Sequence, residues 1–136
     1  MAQEEKELLL KDLCARLPYG VKILDIPGNV VGKLFLISTT DTVQYETADD
    51  SGIQTLYNIK PYLLPLSSMT EEQKGDYNWL RDLVPADEPC EIGNLMDDFQ
   101  LVDNWRSIDY LNANHFAYRG LIEDGLAIDA TGLGIY

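Results

Sequence analysis

The one histidine of the chain, His115, stands in Asn112-Ala113-Asn114-His115-Phe116-Ala117-Tyr118-Arg119-Gly120, where the residue types best suited to chemistry cluster. An imidazole titrates near neutrality and can serve as a general acid or base. Tyr118, or Asp109 six residues earlier, is spaced to assist it, and Arg119 to hold an anionic group of a substrate. His115, Tyr118 and Arg119 are therefore one candidate pocket, that of a small enzyme acting on an anionic molecule. A plainer account of the same residues is a satisfied histidine near a helix end. In that account Arg119 forms a bidentate pair with an internal carboxylate, such as Asp124 or Asp129, and pins the C-terminal arm. No serine or cysteine stands at a spacing that marks a nucleophile for His115, and a triad is recognised by geometry rather than by residue types. No catalytic residue is assigned.

Carboxylates make the second candidate. The chain holds 23 acidic and 10 basic residues, a formal charge of −13. Residues 1–70 contain nine acids and six bases, whereas residues 71–136 contain fourteen acids and four bases, so the C-terminal half makes the field. Between Asp82 and Trp105 there are seven acids and no lysine or arginine. Such a stretch repels nucleic-acid phosphates and anionic lipid and attracts basic partners or cations. Asp87, Glu88, Asp97, Asp98 and Asp103 are the candidate binding residues, their partner a basic protein surface. The same charge also keeps a protein dispersed without implying any partner. Asp97, Asp98 and Asp103 have oxygens suited to a hard cation, but they miss the calcium-loop spacing and lack its turn glycine. No metal site is assigned. A phosphate-cradling glycine loop, a paired-cysteine zinc pattern and a basic aromatic surface are also absent from the sequence, so no cofactor and no direct nucleic-acid contact are expected.

Cys14 falls on the apolar stripe of the first helix and is expected in the core, while the thiolate of Cys90 is disfavoured by neighbouring carboxylates. Two cysteines in no motif are expected as reduced thiols of an intracellular protein. The longest apolar run is too short to span a membrane, and the acidic N-terminus is unlike a signal peptide. The expectation is a cytoplasmic chain, complete as given and forming a single domain over residues 1–136.

The elements that must position these groups are read from periodicity. Leu10, Leu13, Cys14 and Leu17 recur at helical spacing in Gln3 to Leu17, with Pro18-Tyr19-Gly20 as the stop. Val21 to Ile26 is a first strand, closed by Pro27-Gly28-Asn29. Gly32 to Leu66 is the densest strand-forming stretch. Leu34 to Ile37 is an apolar run, Val43, Tyr45 and Thr47 alternate with Gln44 and Glu46, and Ile53, Thr55 and Tyr57 share one face. This strand is expected to end near Lys60, because Pro61 and Pro65 lack the amide proton of a central ladder; Tyr62 to Leu66 then reads as an edge or crossing segment. Thr70-Glu71-Glu72-Gln73 matches a capping box and starts a helix with Tyr77, Leu80, Leu83 and Val84 inward. Pro85 to Phe99 reads as a long loop. Asp103 or Asn104 can cap a helix in which Trp105, Ile108 and Leu111 face inward, ending near Asn112-Ala113-Asn114. The fold class is α+β: an N-terminal helix, an antiparallel sheet of about four or five strands, two further helices and a C-terminal extended arm. The first and second helices are expected to cover one face of the sheet, with Leu13 and Leu36 in the core.

Two segments carry a resemblance. Asn58-Ile59-Lys60-Pro61-Tyr62-Leu63-Leu64-Pro65-Leu66-Ser67-Ser68-Met69-Thr70-Glu71-Glu72 and the stretch from Tyr110 to Ile128, containing Asn112-Ala113-Asn114-His115-Phe116-Ala117-Tyr118-Arg119-Gly120, resemble a family of small uncharacterised proteins of gut bacteria and their phages or prophages. The resemblance implies a mobile-element context and no activity. Members of that family carry Asp before the Tyr-Arg-Gly step, where this chain has Ala117, which argues against an acidic function at that position. Charge and resemblance together lead to the expectation of a small acidic accessory protein, not an enzyme, that docks a basic partner through its acidic C-terminal half. DNA mimicry is the sharper form of the same expectation.

Overall fold

The structure, a computed structural model, describes residues 2–81 and 105–136. They fall into two compact units, residues 1–68 with 112–136, and residues 69–111. The fold is α+β, as the periodicities predict.

In the first unit, α1 (Gln3–Arg16) runs into a single 3-10 turn, Leu17–Tyr19, which Gly20 closes at φ +73° with its N–H on the Leu17 carbonyl. Leu9 and Leu13 are fully buried in the core, and Asp12 and Arg16 are buried beside them. The buried face thus differs from the predicted stripe, because Cys14 is exposed. Cys14 sits about 140° round a 3.6-residue helix from Leu9. Asp12 and Arg16 compensate each other across one turn, which lets a charged pair occupy the inner face where sequence periodicity favours an apolar one.

An antiparallel meander follows: β1 (Lys22–Asp25), β2 (Val30–Ile37), β3 (Thr42–Glu46) and β4 (Ser51–Thr55). Val21, Ile23, Leu34, Val43 and Tyr45 point into the core. Leu36, expected there, is 39% exposed. The β2–β3 register shifts between Leu34 and Leu36, so the alternation inverts after Phe35 and Ile37 packs on the core instead. Ile53 and Thr55 share the outer face of β4, whereas Tyr57, expected on the same face, falls in the 3-10 turn that follows the strand. The sheet curls strongly, since the Gln54 amide of β4 reaches Asp25 of β1 at 3.1 Å although β2 and β3 intervene in the strand order.

After a 3-10 turn at Leu56–Asn58 the chain enters β5 (Ile59–Pro65), which pairs antiparallel with β1. The expected strand from Ile53 to Lys60 is thus broken at Leu56–Asn58, and a separate strand carries on past Lys60 through both prolines. Pro61 is the last residue of β5 paired with β1, and Pro65 the last paired with β6, so each missing N–H falls at a ladder end, where it removes little. Nor is β5 an edge: besides β1 it pairs in parallel with both β6 (Phe116–Ala117) and β7 (Ile128–Asp129), giving a mixed sheet. Leu121, Leu126 and Ala127 of the intervening turns complete the core.

In the second unit, α2 (Glu71–Arg81) starts at the predicted capping box. The Thr70 amide donates to Gln73 Oε1 at 2.9 Å, and the Gln73 amide donates to Thr70 Oγ at 3.1 Å. The helix α3 (Trp105–Ala113) ends where expected and buries Ser107 and Leu111, with Ile108 half-buried. The rings of Tyr77 and Tyr110 meet at 6.5 Å in a tilted arrangement. Among the described residues no helix is long and apolar enough to cross a membrane.

Candidate functional site

Two charged networks are built into the first unit, and both are turned inward. The first is centred on Asp12. Arg16 Nε donates to Asp12 Oδ2 at 2.7 Å and Arg16 Nη2 to the Phe116 carbonyl at 2.7 Å, which ties α1 to β6. Arg119 Nη1 donates to the other oxygen, Asp12 Oδ1, at 3.3 Å. One carboxylate thus serves two guanidinium groups, and neither Asp12 nor Arg16 has solvent exposure. The predicted internal carboxylate for Arg119 exists, but it belongs to α1 rather than to Asp124 or Asp129; Asp129 instead accepts from the Thr131 hydroxyl and amide. Both arginines also stand near the Tyr118 ring, with Arg16 Cζ 5.2 Å and Arg119 Cζ 4.8 Å from its centroid, and the Tyr118 hydroxyl donates to Asn112 Oδ1 at 2.8 Å.

His115 borders this network through the backbone of Phe116. It adopts φ +64° just beyond α3, donating its N–H to the Asn112 carbonyl and accepting at its own carbonyl from Leu64. The left-handed region is one that histidine enters more readily than most residues, and here it closes the helix and starts β6. Its ring stacks on Tyr136 with centroids 3.6 Å apart and planes 10° from parallel. Burial, then the positive charges of Arg16 and Lys22, push the imidazole down to about 4. It is neutral at pH 7 and a weak base. The Tyr136 hydroxyl accepts from the Lys22 amide and donates to the Tyr62 carbonyl, both at 2.8 Å, so the tail is fastened to β1 and β5.

The second network surrounds Asp25, on the inward row of β1. It accepts from the Tyr45 hydroxyl at 2.6 Å, from Gln54 at 3.1 Å and from the Gly28 amide at 3.2 Å. The Tyr45 bond is the main reason that the Asp25 carboxyl is held below its ordinary range, and the same bond pushes the Tyr45 phenol up to about 12. Nothing in the spacing of Asp25, Tyr45 and Gln54 pointed to this cluster; the parity of Asp25 with Val21 and Ile23 was its one signal. The Tyr45 ring is accommodated by two glycines, since a Cβ at Gly32 would collide with Tyr45 Cδ2 and one at Gly52 with Tyr45 Cζ.

Two open grooves lie on the unit. One, of about 400 Å³, is lined by Pro65, Leu66, Ser67, Ala117, Tyr118, Gly120 and Glu123. The other, of about 310 Å³, runs past Lys22, Lys33 and Glu46. Tyr118 faces the first, whereas neither His115 nor Arg119 lines either groove. Among the described residues no group of three or more His, Cys, Asp or Glu is arranged to hold a metal ion. Asp87, Glu88, Asp97, Asp98, Asp103 and Cys90 lie outside the described residues. The structure brings His115, Tyr118 and Arg119 into one neighbourhood and adds Asp12 and Arg16, which sequence reasoning placed on a helix without a role. No protein family, curated protein or solved structure matches the chain.

Proposed function

We propose that this is a small acidic accessory protein that docks a basic protein surface through its C-terminal half, in the phage or prophage setting that the family resemblance suggests. Charge distribution is the observation that carries the reading. Residues 69–111 hold eleven acids and three bases, whereas the rest of the chain holds twelve and seven, and Asp87, Glu88, Asp97, Asp98 and Asp103 belong to the stretch without any base. The exposed Glu71, Glu72 and Asp76 of α2 and Asp109 of α3 extend the same sign. An acidic field of this kind speeds encounter with a basic surface and suppresses anionic partners. Mimicry of nucleic acid is its sharper form, and it requires carboxylates along one face at a density approaching that of duplex phosphates, one charge per about 1.7 Å of axis.

The reading with His115 as acid or base is less well supported. Its ring is covered by Tyr136, its basicity is depressed, and Tyr118 and Arg119 are held by Asn112 and Asp12. Capture from host lysate at rising ionic strength tests the docking reading, because screening shortens to about 3 Å at 1 M salt. A basic partner retained at low salt, released at high salt and lost when Asp87, Glu88, Asp97 and Asp98 are replaced by their amides is the expected result. Equal capture by the amide variant, or no basic partner at low salt, leaves the acids as a solubility feature and removes the proposal.

A further inference from the structure

The positive charges of Arg16 and Lys22 both act on His115, and Arg16 shares its one carboxylate, Asp12, with Arg119. Lys22 Nζ lies 5.8 Å from the centroid of the Tyr136 ring that covers His115. Lys22 Nζ is bonded to a neutral group, the Ile135 carbonyl at 2.8 Å, rather than to a carboxylate. Among the described residues two buried side-chain atoms have no hydrogen-bond partner, Arg16 Nη1 and His115 Nδ1. They belong to adjoining groups, because Arg16 Nη2 is anchored on the carbonyl of Phe116, the residue after His115. A guanidinium N–H without solvent or acceptor costs free energy unless something supplies the acceptor.

We propose that Arg16, His115 and Lys22 form a binding site for a small oxyanion, a carboxylate or phosphoryl group, whose oxygen accepts from Arg16 Nη1 and lies against His115 Nδ1, with Tyr136 as its cover. An anion answers the donor without an acceptor and the positive charges of Arg16 and Lys22 together, which a neutral ligand does not. The depressed basicity of His115, caused in part by Arg16 and Lys22, fits a locally positive field. Tyr136 is held by two hydrogen bonds and a ring stack and follows Gly132 and Gly134, both at positive φ, so the cover is a short segment fastened at its tip. Binding is non-covalent, and it is independent of the acidic surface discussed above.

His115 is the only histidine, so its ring resonances need no assignment by mutation. Sodium acetate and inorganic phosphate, each titrated against sodium chloride at constant ionic strength, are the probes. A saturable shift of the His115 signals is expected, with the imidazole pKa rising by about one unit or more as the bound anion favours its charged form. Response to both probes identifies a carboxylate-sized site, and response to phosphate alone a phosphoryl site. Tyr136→Ala, which uncovers the ring, should bind more tightly. Arg16→Lys, which keeps a charge but loses the fork, should abolish the shift. Lys22→Gln, which keeps a donor for the Ile135 carbonyl, should weaken binding several-fold, and it decides the matter if Arg16→Lys does not fold. His115 signals that stay still in both the unaltered protein and Tyr136→Ala overturn the proposal. So does a shift that Lys22→Gln and a folded Arg16→Lys leave unchanged.

Discussion

The two units handle charge in opposite ways. In residues 1–68 with 112–136, the charged groups that matter to the fold are buried and tied to particular partners: Asp12 to two arginines, Asp25 to Tyr45, Gln54 and the Gly28 amide. In residues 69–111 an excess of eight acids over bases is carried, and the described carboxylates of α2 and α3 are exposed. Buried charge is costly unless it is paired and hydrogen-bonded, so it fixes one arrangement of the surrounding elements. Exposed charge of one sign specifies little of the fold and acts at a distance, on solubility and on encounter. The same residue type is thus a structural part in one unit and a source of field in the other.

Replacing Asp12 by alanine should break the first half of this comparison most severely. It strands Arg16 inside the protein, and a loss of about 3 to 5 kcal/mol in urea denaturation is expected. Leu34→Ala and Leu36→Ala separate the two sides of the bulge in β2: the first should cost about 2 to 5 kcal/mol and the second under about 1 kcal/mol. Equal losses would mean that the register shift is wrongly placed. Gly32→Ala forces a Cβ onto the Tyr45 ring and disturbs its bond to Asp25, so a loss of about 1 to 3 kcal/mol is expected, with the tyrosine fluorescence altered in the native state. Acid should act on the first unit through His115. Its folded pKa, about 4, lies below the ordinary 6.5, so the unfolded chain binds more protons in that window and stability falls as pH drops from about 6.5 to about 4. His115→Gln should flatten that part of a melting-temperature profile. The smallest effect is predicted for the acidic stretch: changing Asp87, Glu88, Asp97 and Asp98 to amides should change the unfolding free energy by no more than about 0.5 kcal/mol per site, in contrast to Asp12.

Local rules read from the sequence fared according to how local their physics is. The capping box at Thr70, the stop at Pro18-Tyr19-Gly20 and the inward rows of Val21 with Ile23 and of Val43 with Tyr45 depend on neighbours a few residues away, and they stand in the structure. On α1 the expected stripe holds at Leu9, Leu10, Leu13 and Leu17 and fails at Cys14, because periodicity counts apolar residues and gives no weight to Asp12 and Arg16, whose pairing makes burial tolerable. Leu36 was misplaced because a bulge inverts a two-residue period without any marker in its composition. Pro61 and Pro65 misled for a related reason: whether a proline harms a strand depends on which ladder its missing proton faces, and that is a property of the partners. At the candidate site the polar cluster around His115 was visible from its composition. Its partners were not, because Asp12 and Arg16 come from some hundred residues earlier, and Arg16 meets the site through the backbone oxygen of Phe116.

The parallel pairing of Leu64 with Phe116 has a topological consequence. A chain that leaves a strand and returns beside it in the same direction must make a crossover, and residues 66–115 are that crossover. The sheet demands that it return with the right polarity, and sets no upper limit on its length. Loop-closure entropy grows only logarithmically, at about 0.6 kcal/mol for each doubling of a flexible connection. The acidic unit is therefore a cassette: its two attachment points are supplied by the rest of the fold, and variants of different length or charge could be exchanged between them with the curled sheet and the Asp12 and Asp25 networks left in place.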